Sequence, residues 1–365
     1  MTGRSMKSRI TQAMSCQPQS TEDHGALATD YIRMETVEAG AYLRELYGIE
    51  GELSRMDTEK DDTFKVTTPK GRRFVLKVSN PTEEFEEVHF LTALLGHVAA
   101  SGLDLPTPRA SPGLENGEIQ EITDRAGQRR YLRVLTFLDG IPLDSTSSTD
   151  RERRQIGGAL ARLRLATAGF RHPHDHRRYA WDVQHLLTLR PLLEHVQSPA
   201  HRELLAAGLE RYSAIAPKIP SLRRQVLHND FSKSNIIVDH ETEQFVTGII
   251  DFGDAVRTAV AIDVSTALLN QLPSDAADRS IDDLFREGRP LLDGYLSTAD
   301  LTQEELLIIP HLVMGRVVAR ALLTVWRAQR FPHNSRYILR NTEQGWGQLR
   351  WFLDRSPAAI SELLV

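Results

Sequence analysis

The chain has 365 residues, 25% of them charged, with a net charge of -5 at neutral pH and an isoelectric point near 6.2. No basic tract dominates any stretch, which excludes an electrostatic nucleic-acid binder and favours a small-molecule partner, and the length suffices for two lobes with a cleft between them. A single cysteine, Cys16, excludes a disulfide framework and suits a reducing cytoplasm, and no apolar run reads as long enough to span a bilayer, so no membrane partner is expected.

Residues 1–25 are polar and lack an apolar signal core, so they read as a flexible extension. Strand-like runs then alternate with turns: 51–56, 63–67, 73–78 after the Pro69-Lys70-Gly71 turn, and 130–137. One helix interrupts them, from Thr82 to about Ala100, with Phe85, Val88, Leu91, Leu94 and Leu95 at helical spacing. The pattern changes near residue 140. Beyond it the chain is mostly helical, except for two short apolar runs, 236–238 and 247–250. The expected α+β architecture is a strand-rich lobe over 26–139 that ends in a hinge, followed by a helical lobe over 140–365.

Those two apolar runs carry the most informative segment, His228-Asn229-Asp230-Phe231-Ser232-Lys233-Ser234-Asn235, followed by Asp251-Phe252-Gly253-Asp254. The spacing of Asp230, Asn235 and Asp251 suits ligands that hold a nucleotide's metal ions beside an attacking hydroxyl. Turn formers alone would explain Asp and Asn here, but not this spacing; the combination arises by chance in about one chain in a thousand or fewer. Phosphoryl transfer asks mainly for positioning and charge neutralisation. A cation from the strand-rich lobe is then needed, and Lys77 in Val75-Leu76-Lys77-Val78 is placed to supply it to the α- and β-phosphates. Of the acids on the next helix, Glu84, Glu86 and Glu87, the last is favoured as its ion-pair partner, because it precedes Val88, Leu91 and Leu94 by helical steps.

Several other residues admit two readings each. His172, His174, Asp175 and His176 have the composition of a metal cluster, but the intervening proline and flanking arginines favour a solvent loop. Asp263 reads as the N-cap of a core helix. Asp254 is either a support for the metal-binding turn or an exposed turn residue. Asp182, after Trp181, either pairs with a substrate ammonium or caps a helix beside a buried Trp. Arg316 and Arg320, one turn apart on a helix from about Leu312 to Arg330, either clamp a substrate carboxylate or bridge to neighbouring acids.

The His-Asn-Asp-x4-Asn string, the Ile-Asp-Phe-Gly-Asp run, the Val-Leu-Lys strand and Leu135-Thr136-Phe137-Leu138-Asp139-Gly140 together resemble the aminoglycoside phosphotransferase and choline kinase superfamily. Within it, Tyr47-Gly48-Ile49-Glu50-Gly51, Ser79-Asn80, Trp181-Asp182 and Trp346 are most similar to the hydroxylysine kinase-like branch. The resemblance covers roughly residues 26–355. It implies a protein kinase-like two-lobe fold with the nucleotide cleft between the lobes, Asp230 as catalytic base, and Asn235 and Asp251 as Mg²⁺ ligands. It further implies ATP or GTP as co-substrate, with Thr136, Phe137 and Leu138 of the hinge at the purine and His228 as a brace for the loop.

One departure concerns the turn that covers the phosphates in this superfamily, here about 56–63, which contains Asp57, Thr58, Glu59, Lys60, Asp61 and Asp62 but no glycine. Acids are an uneasy fit with phosphate, and the residues of this turn are left unassigned. The implied activity is that of a small-molecule kinase acting on the hydroxyl of an amine-bearing metabolite, with hydroxylysine or a similar amino-acid alcohol as the expected acceptor. Alternatives are aminoglycoside phosphorylation, homoserine- or choline-type kinase activity, or a catalytically silent nucleotide-binding protein. The sequence does not reveal the oligomeric state.

Overall fold

Period-two alternation over residues 52–78 builds three antiparallel strands in the computed structural model, which describes residues 31–56, 58, 60–115, 117–276 and 282–365. The expected extension at 1–25 lies outside the described residues. Helix α1 (Thr36–Tyr47) precedes β1 (Glu52–Met56), β2 (Asp62–Thr67) and β3 (Arg73–Val78); α2 (Phe85–Ala100), β4 (Ala110–Ser111), β5 (Ile119–Thr123) and β6 (Arg129–Thr136) follow. The strands form one sheet in the order β1-β2-β3-β6-β4, with β5 also paired to β6. In this register Lys77 on β3 lies between Thr63 on β2 and Arg133 on β6.

One face of the sheet is closed by α1, whose Ala39, Leu43 and Tyr47 pack with Phe64, Val66, Leu76, Val78, Leu132 and Val134 in a small core. Helix α2 belongs instead to the larger core, through Phe90, Leu91, Leu94, Leu95 and Val98. Phe85, expected on its apolar face, is 42% exposed, because α2 begins at that residue and the chain there has not yet turned onto the core.

After β7 (Ile141–Pro142) come α3 (Asp150–Thr167), α4 (Pro199–Ser213), β8 (Arg224–Leu227), β9 (Ile236–Val238), β10 (Val246–Ile249), β11 (Val256–Ala259), α5 (Val260–Leu269) and α6 (Arg289–Leu296). They are followed by α7 (Gln303–Arg330), α8 (Ser335–Leu339), α9 (Glu343–Leu353) and α10 (Pro357–Ser361). Strand β9 is flanked by β10 and β7, while β8 pairs with β11, so two short ribbons carry the Asp230–Asp251 segment on a helical base. Helices α3 and α6 meet backbone to backbone: a Cβ on Gly157 would stand 1.8 Å from the Leu291 carbonyl oxygen, and one on Gly294 2.0 Å from that of Arg154.

Helix α7 corrects one expectation. Its 28 residues are long and apolar enough, by length and composition, to cross a membrane. Its apolar surface is buried within the helical core, where Ile309, Leu312, Val313, Val317 and Leu322 are fully enclosed. A capping box at its start, Thr302 with Glu305, fixes where it begins, nine residues before the expected start.

Candidate active site

Between the sheet and the helical region lies a cleft of about 2830 Å³, lined by Lys77 and Glu87 from one side, Thr136, Phe137 and Leu138 at the connection, and Asp230, Asn235, Asp251, Arg316 and Arg320 from the other. The segment after β8 enters it through a backbone kink. Asn229 adopts φ 61°, a left-handed conformation tolerated by Asn, and its N–H donates to the Asp263 carboxylate at 2.7 Å. His228, buried, accepts from the Asp230 N–H at 3.3 Å through Nδ1, so its Nε2–H donates to the Ile250 carbonyl at 3.0 Å. It thereby ties the Asp230 loop to the strand that delivers Asp251.

Asn235 points its carboxamide back at Asp230, donating to the main-chain oxygen at 3.0 Å and to Oδ2 at 2.7 Å. This bond consumes the amide nitrogen and leaves the amide oxygen for another partner. Asp251 also has a left-handed backbone, φ 57°, and lies 3.5 Å from Lys77 Nζ with its side chain 54% exposed to the cleft. The Lys77 ammonium holds the Asp251 carboxyl down to about 2. Burial, reinforced by Asp254, pushes the Asp230 carboxyl up to about 8. Lys77 in turn is held above its ordinary value by Asp251.

Glu87 is not the partner of Lys77. The ammonium pairs with Asp251 and, at 3.8 Å, with Asp61 from the β1–β2 turn. Glu87 stands in the first turn of α2 on the cleft wall. Glu83, just before that helix, has a buried, unpartnered carboxylate oxygen, and burial followed by repulsion from Asp61 pushes its carboxyl up to about 7.

The acids of the turn prove to be structural where they are described. Asp62, fully buried, is met by Arg130 at 2.9 Å and by Arg55, and Asp61 accepts from the Asn80 N–H at 3.3 Å. Asp57 and Glu59 lie outside the described residues. At the connection, Thr136 and Phe137 give their N–H groups to the carbonyls of Arg109 and Arg73. Of the three hinge residues, Leu138 is the one whose N–H has no partner among the described residues.

The acceptor side departs further from expectation. Asp182 is not exposed to a ligand: it is 1% exposed and caps the following 3₁₀ stretch by accepting from the Gln184 N–H at 3.1 Å, from the Gln184 amide, and from the Thr258 hydroxyl at 3.1 Å. Arg316 is also an anchor, donating to the carbonyls of Trp181 and Asn229, the latter at 3.2 Å. Arg320 differs. It donates to Gln348 Oε1 at 3.0 Å and pairs with no carboxylate among the described residues, while burial and then Arg316 depress its guanidinium to about 10.

Asp263 does not cap α5, which starts at Val260 after Ala259; its carboxylate instead receives the Asn229 N–H. Asp175 is buried and binds Arg257 at 2.6 Å, so the His172–His176 stretch anchors β11, and no group of three metal-ligating side chains occurs there or elsewhere among the described residues. Sequence reasoning missed Tyr179, which lines the cleft with its hydroxyl receiving the Lys60 ammonium; its nearness to Trp181-Asp182 was the available signal.

A family model described as the phosphotransferase enzyme family matches residues 56–301, well over half of the chain. The chain is 23% identical to the hydroxylysine kinase of Mus musculus over 350 residues, covering 89% of this chain and 91% of that protein. It is 30% identical to the homoserine kinase of Azorhizobium caulinodans over 257 residues, 69% and 72% of the two chains. Its fold is shared with a microcompartment-associated aminopropanol kinase, with a TM-score of 0.70, 19% identity and coverage of 90% of this chain and 99% of that one. The family match spans both walls of the cleft, from the β1–β2 turn through Asp251, and it establishes that the chain belongs to the phosphotransferase enzyme family and is a small-molecule kinase.

Proposed function

We propose that this kinase moves the γ-phosphoryl group of ATP or GTP to a hydroxyl of an amine-bearing metabolite, and that the acceptor is an amino-acid alcohol such as hydroxylysine. The observation that carries the transfer chemistry is the meeting of Asp230, Asn235 and Asp251 opposite Lys77 in one cleft. The near full-length match to a hydroxylysine kinase supports the acceptor class, as does Arg320, a cleft-lining guanidinium with no acidic partner among the described residues.

The donor set fits Mg²⁺. The Asn235 amide oxygen and the Asp251 carboxylate are hard oxygen ligands on adjoining strand ends, and Asp251 stays ionised beside Lys77. Bound there, Mg²⁺ would neutralise charge on the nucleotide phosphates. Lys77 would hold the α- and β-phosphate oxygens, and the Leu138 N–H would meet the purine edge. Asp230 accepts the hydrogen bond of the acceptor hydroxyl and takes its proton as the new O–P bond forms and the bond from the γ-phosphorus to the leaving nucleoside diphosphate breaks. Asn235 fixes Asp230 through Oδ2, which leaves Oδ1 to face that hydroxyl.

The test is nucleotide consumption by the purified chain with Mg²⁺, using ATP and GTP in turn across hydroxylysine, homoserine, ethanolamine, choline and several aminoglycosides. Turnover with hydroxylysine or a near analogue is expected. Turnover of aminoglycosides with none of any amino acid would overturn the acceptor assignment while leaving the kinase chemistry in place.

A further inference from the structure

The β1–β2 turn carries one basic side chain among its acids, Lys60, and its ammonium crosses the cleft. It sits 4.2 Å over the ring of Tyr179, donates to the Tyr179 hydroxyl, and lies 3.5 Å from the Asp254 carboxylate. All three groups belong to the wall that holds Asp230 and Asp251. The Lys60 charge also reaches Asp251, adding to the effect of Lys77 in keeping that carboxyl ionised.

The turn is built to present this side chain. Asn80, 1% exposed and three residues after Lys77, donates its amide to the Lys60 carbonyl at 3.3 Å and its N–H to Asp61 at 3.3 Å. Its own amide oxygen is held by the Thr82 N–H at 3.0 Å and the Thr82 hydroxyl at 2.8 Å. Asp61 and Asp62 on the far side of Lys60 are turned toward Lys77, Arg55 and Arg130. The lysine is therefore clasped at its backbone on one side and flanked by neutralised acids on the other. A turn without glycine cannot bring its backbone as close to phosphate as a Gly-rich loop does, whereas a long side chain on a fixed backbone reaches across the gap.

We infer that Lys60 is a second phosphate cation, whose ammonium binds the oxygens of the transferred γ-phosphoryl group while Lys77 serves the α- and β-phosphates, and that the Asn80 clasp sets its reach. Without nucleotide, Asp254 and Tyr179 hold the ammonium in place. A γ-phosphoryl group entering between Asp230 and the turn offers it a stronger, doubly charged partner. This rests on the kinase reading.

The test uses the full chain with Mg²⁺ and compares binding of AMP-PNP and ADP by calorimetry, with the guanine counterparts if the wild type takes those instead. Lys60→Met is expected to weaken the triphosphate analogue about 10-fold or more and to leave the diphosphate within about two-fold, because only the former presents the γ-phosphoryl group. Lys60→Arg should restore most of the difference. Asn80→Ala should reproduce part of it with the lysine intact. Equal losses for both nucleotides, or none for either, would overturn the inference even with a working kinase. Failure of the wild type to bind any purine nucleotide would instead overturn the kinase reading on which it rests.

Discussion

At the transfer end of the cleft, Asp230, Asn235 and Asp251 come from one stretch of chain wound through two paired ribbons, with hydrogen bonds from His228 and Asn235 fixing each to the next. At the proposed acceptor end, charged side chains come from α7 and from the cap of the 3₁₀ stretch after Trp181, and two of the three singled out, Asp182 and Arg316, hold the protein's own backbone and side chains. The contrast separates two uses of a buried charge. Where ligand chemistry is set by short-range spacing, the carboxylates remain available to a cleft. Where helices must be locked together, a charge at the cleft edge is consumed by the helix or strand beside it.

Removing the proposed base should have the largest effect. Asp230→Asn is expected to lower turnover about 10³-fold with little change in melting temperature, as general-base removal does; undiminished phosphorylation by this variant would refute the mechanism. Next comes the helix that carries Arg316 and Arg320. His311 on α7 is 3% exposed and shares a hydrogen bond with Ser361 at 2.9 Å, and burial, aided by Arg211 and Lys218, lowers its imidazole to about 4. The unfolded chain therefore takes up this proton first. Its stabilising contribution is whole above about pH 6.5 and is lost as pH falls toward 4, by about 3 kcal/mol in all. Chemical denaturation of His311→Gln across that range should show a correspondingly flatter acid limb than the wild type.

A smaller effect is expected at Arg320. Arg320→Met should raise KM for hydroxylysine about 10-fold and leave ethanolamine, which lacks a carboxylate, unchanged; equal changes for both acceptors would mean that the residue only packs against Gln348. The smallest effect falls on Asp182. Asp182→Asn retains an oxygen acceptor for the cap, so about 1 kcal/mol of stability should be lost with no change in acceptor KM. A KM change at constant stability would return Asp182 to the ligand side of the comparison.

The legible part of the molecule follows the same division. Strands β2, β3 and β6 were readable because alternation and a Pro-Lys-Gly turn are local signals, and the Asp230–Asp251 motif because its spacing is covalent. Helix α1 and strand β5 went unread: α1 mixes exposed Val37 with buried Glu38, and β5 alternates weakly, so each gains its structure from the sheet it joins. The partner of Lys77 was misassigned because helical spacing orients Glu87 correctly along α2 but says nothing of how closely the β1–β2 turn folds over β3, which brings Asp61 instead. Asp182 and Arg316 could not be told from ligand contacts by sequence, since a carbonyl or amide partner from a distant element leaves no mark beside them.

The glycines where α3 and α6 touch have a bearing on how such an enzyme diverges. With Gly157 and Gly294 leaving no room even for a methyl group, any larger residue at either position would force those two helices apart beneath the ribbons. On the proposed reading of Arg320, drift toward a new acceptor would then proceed by exchange of side chains on the cleft-facing turns of α7, where Arg320 stands with a neutral partner.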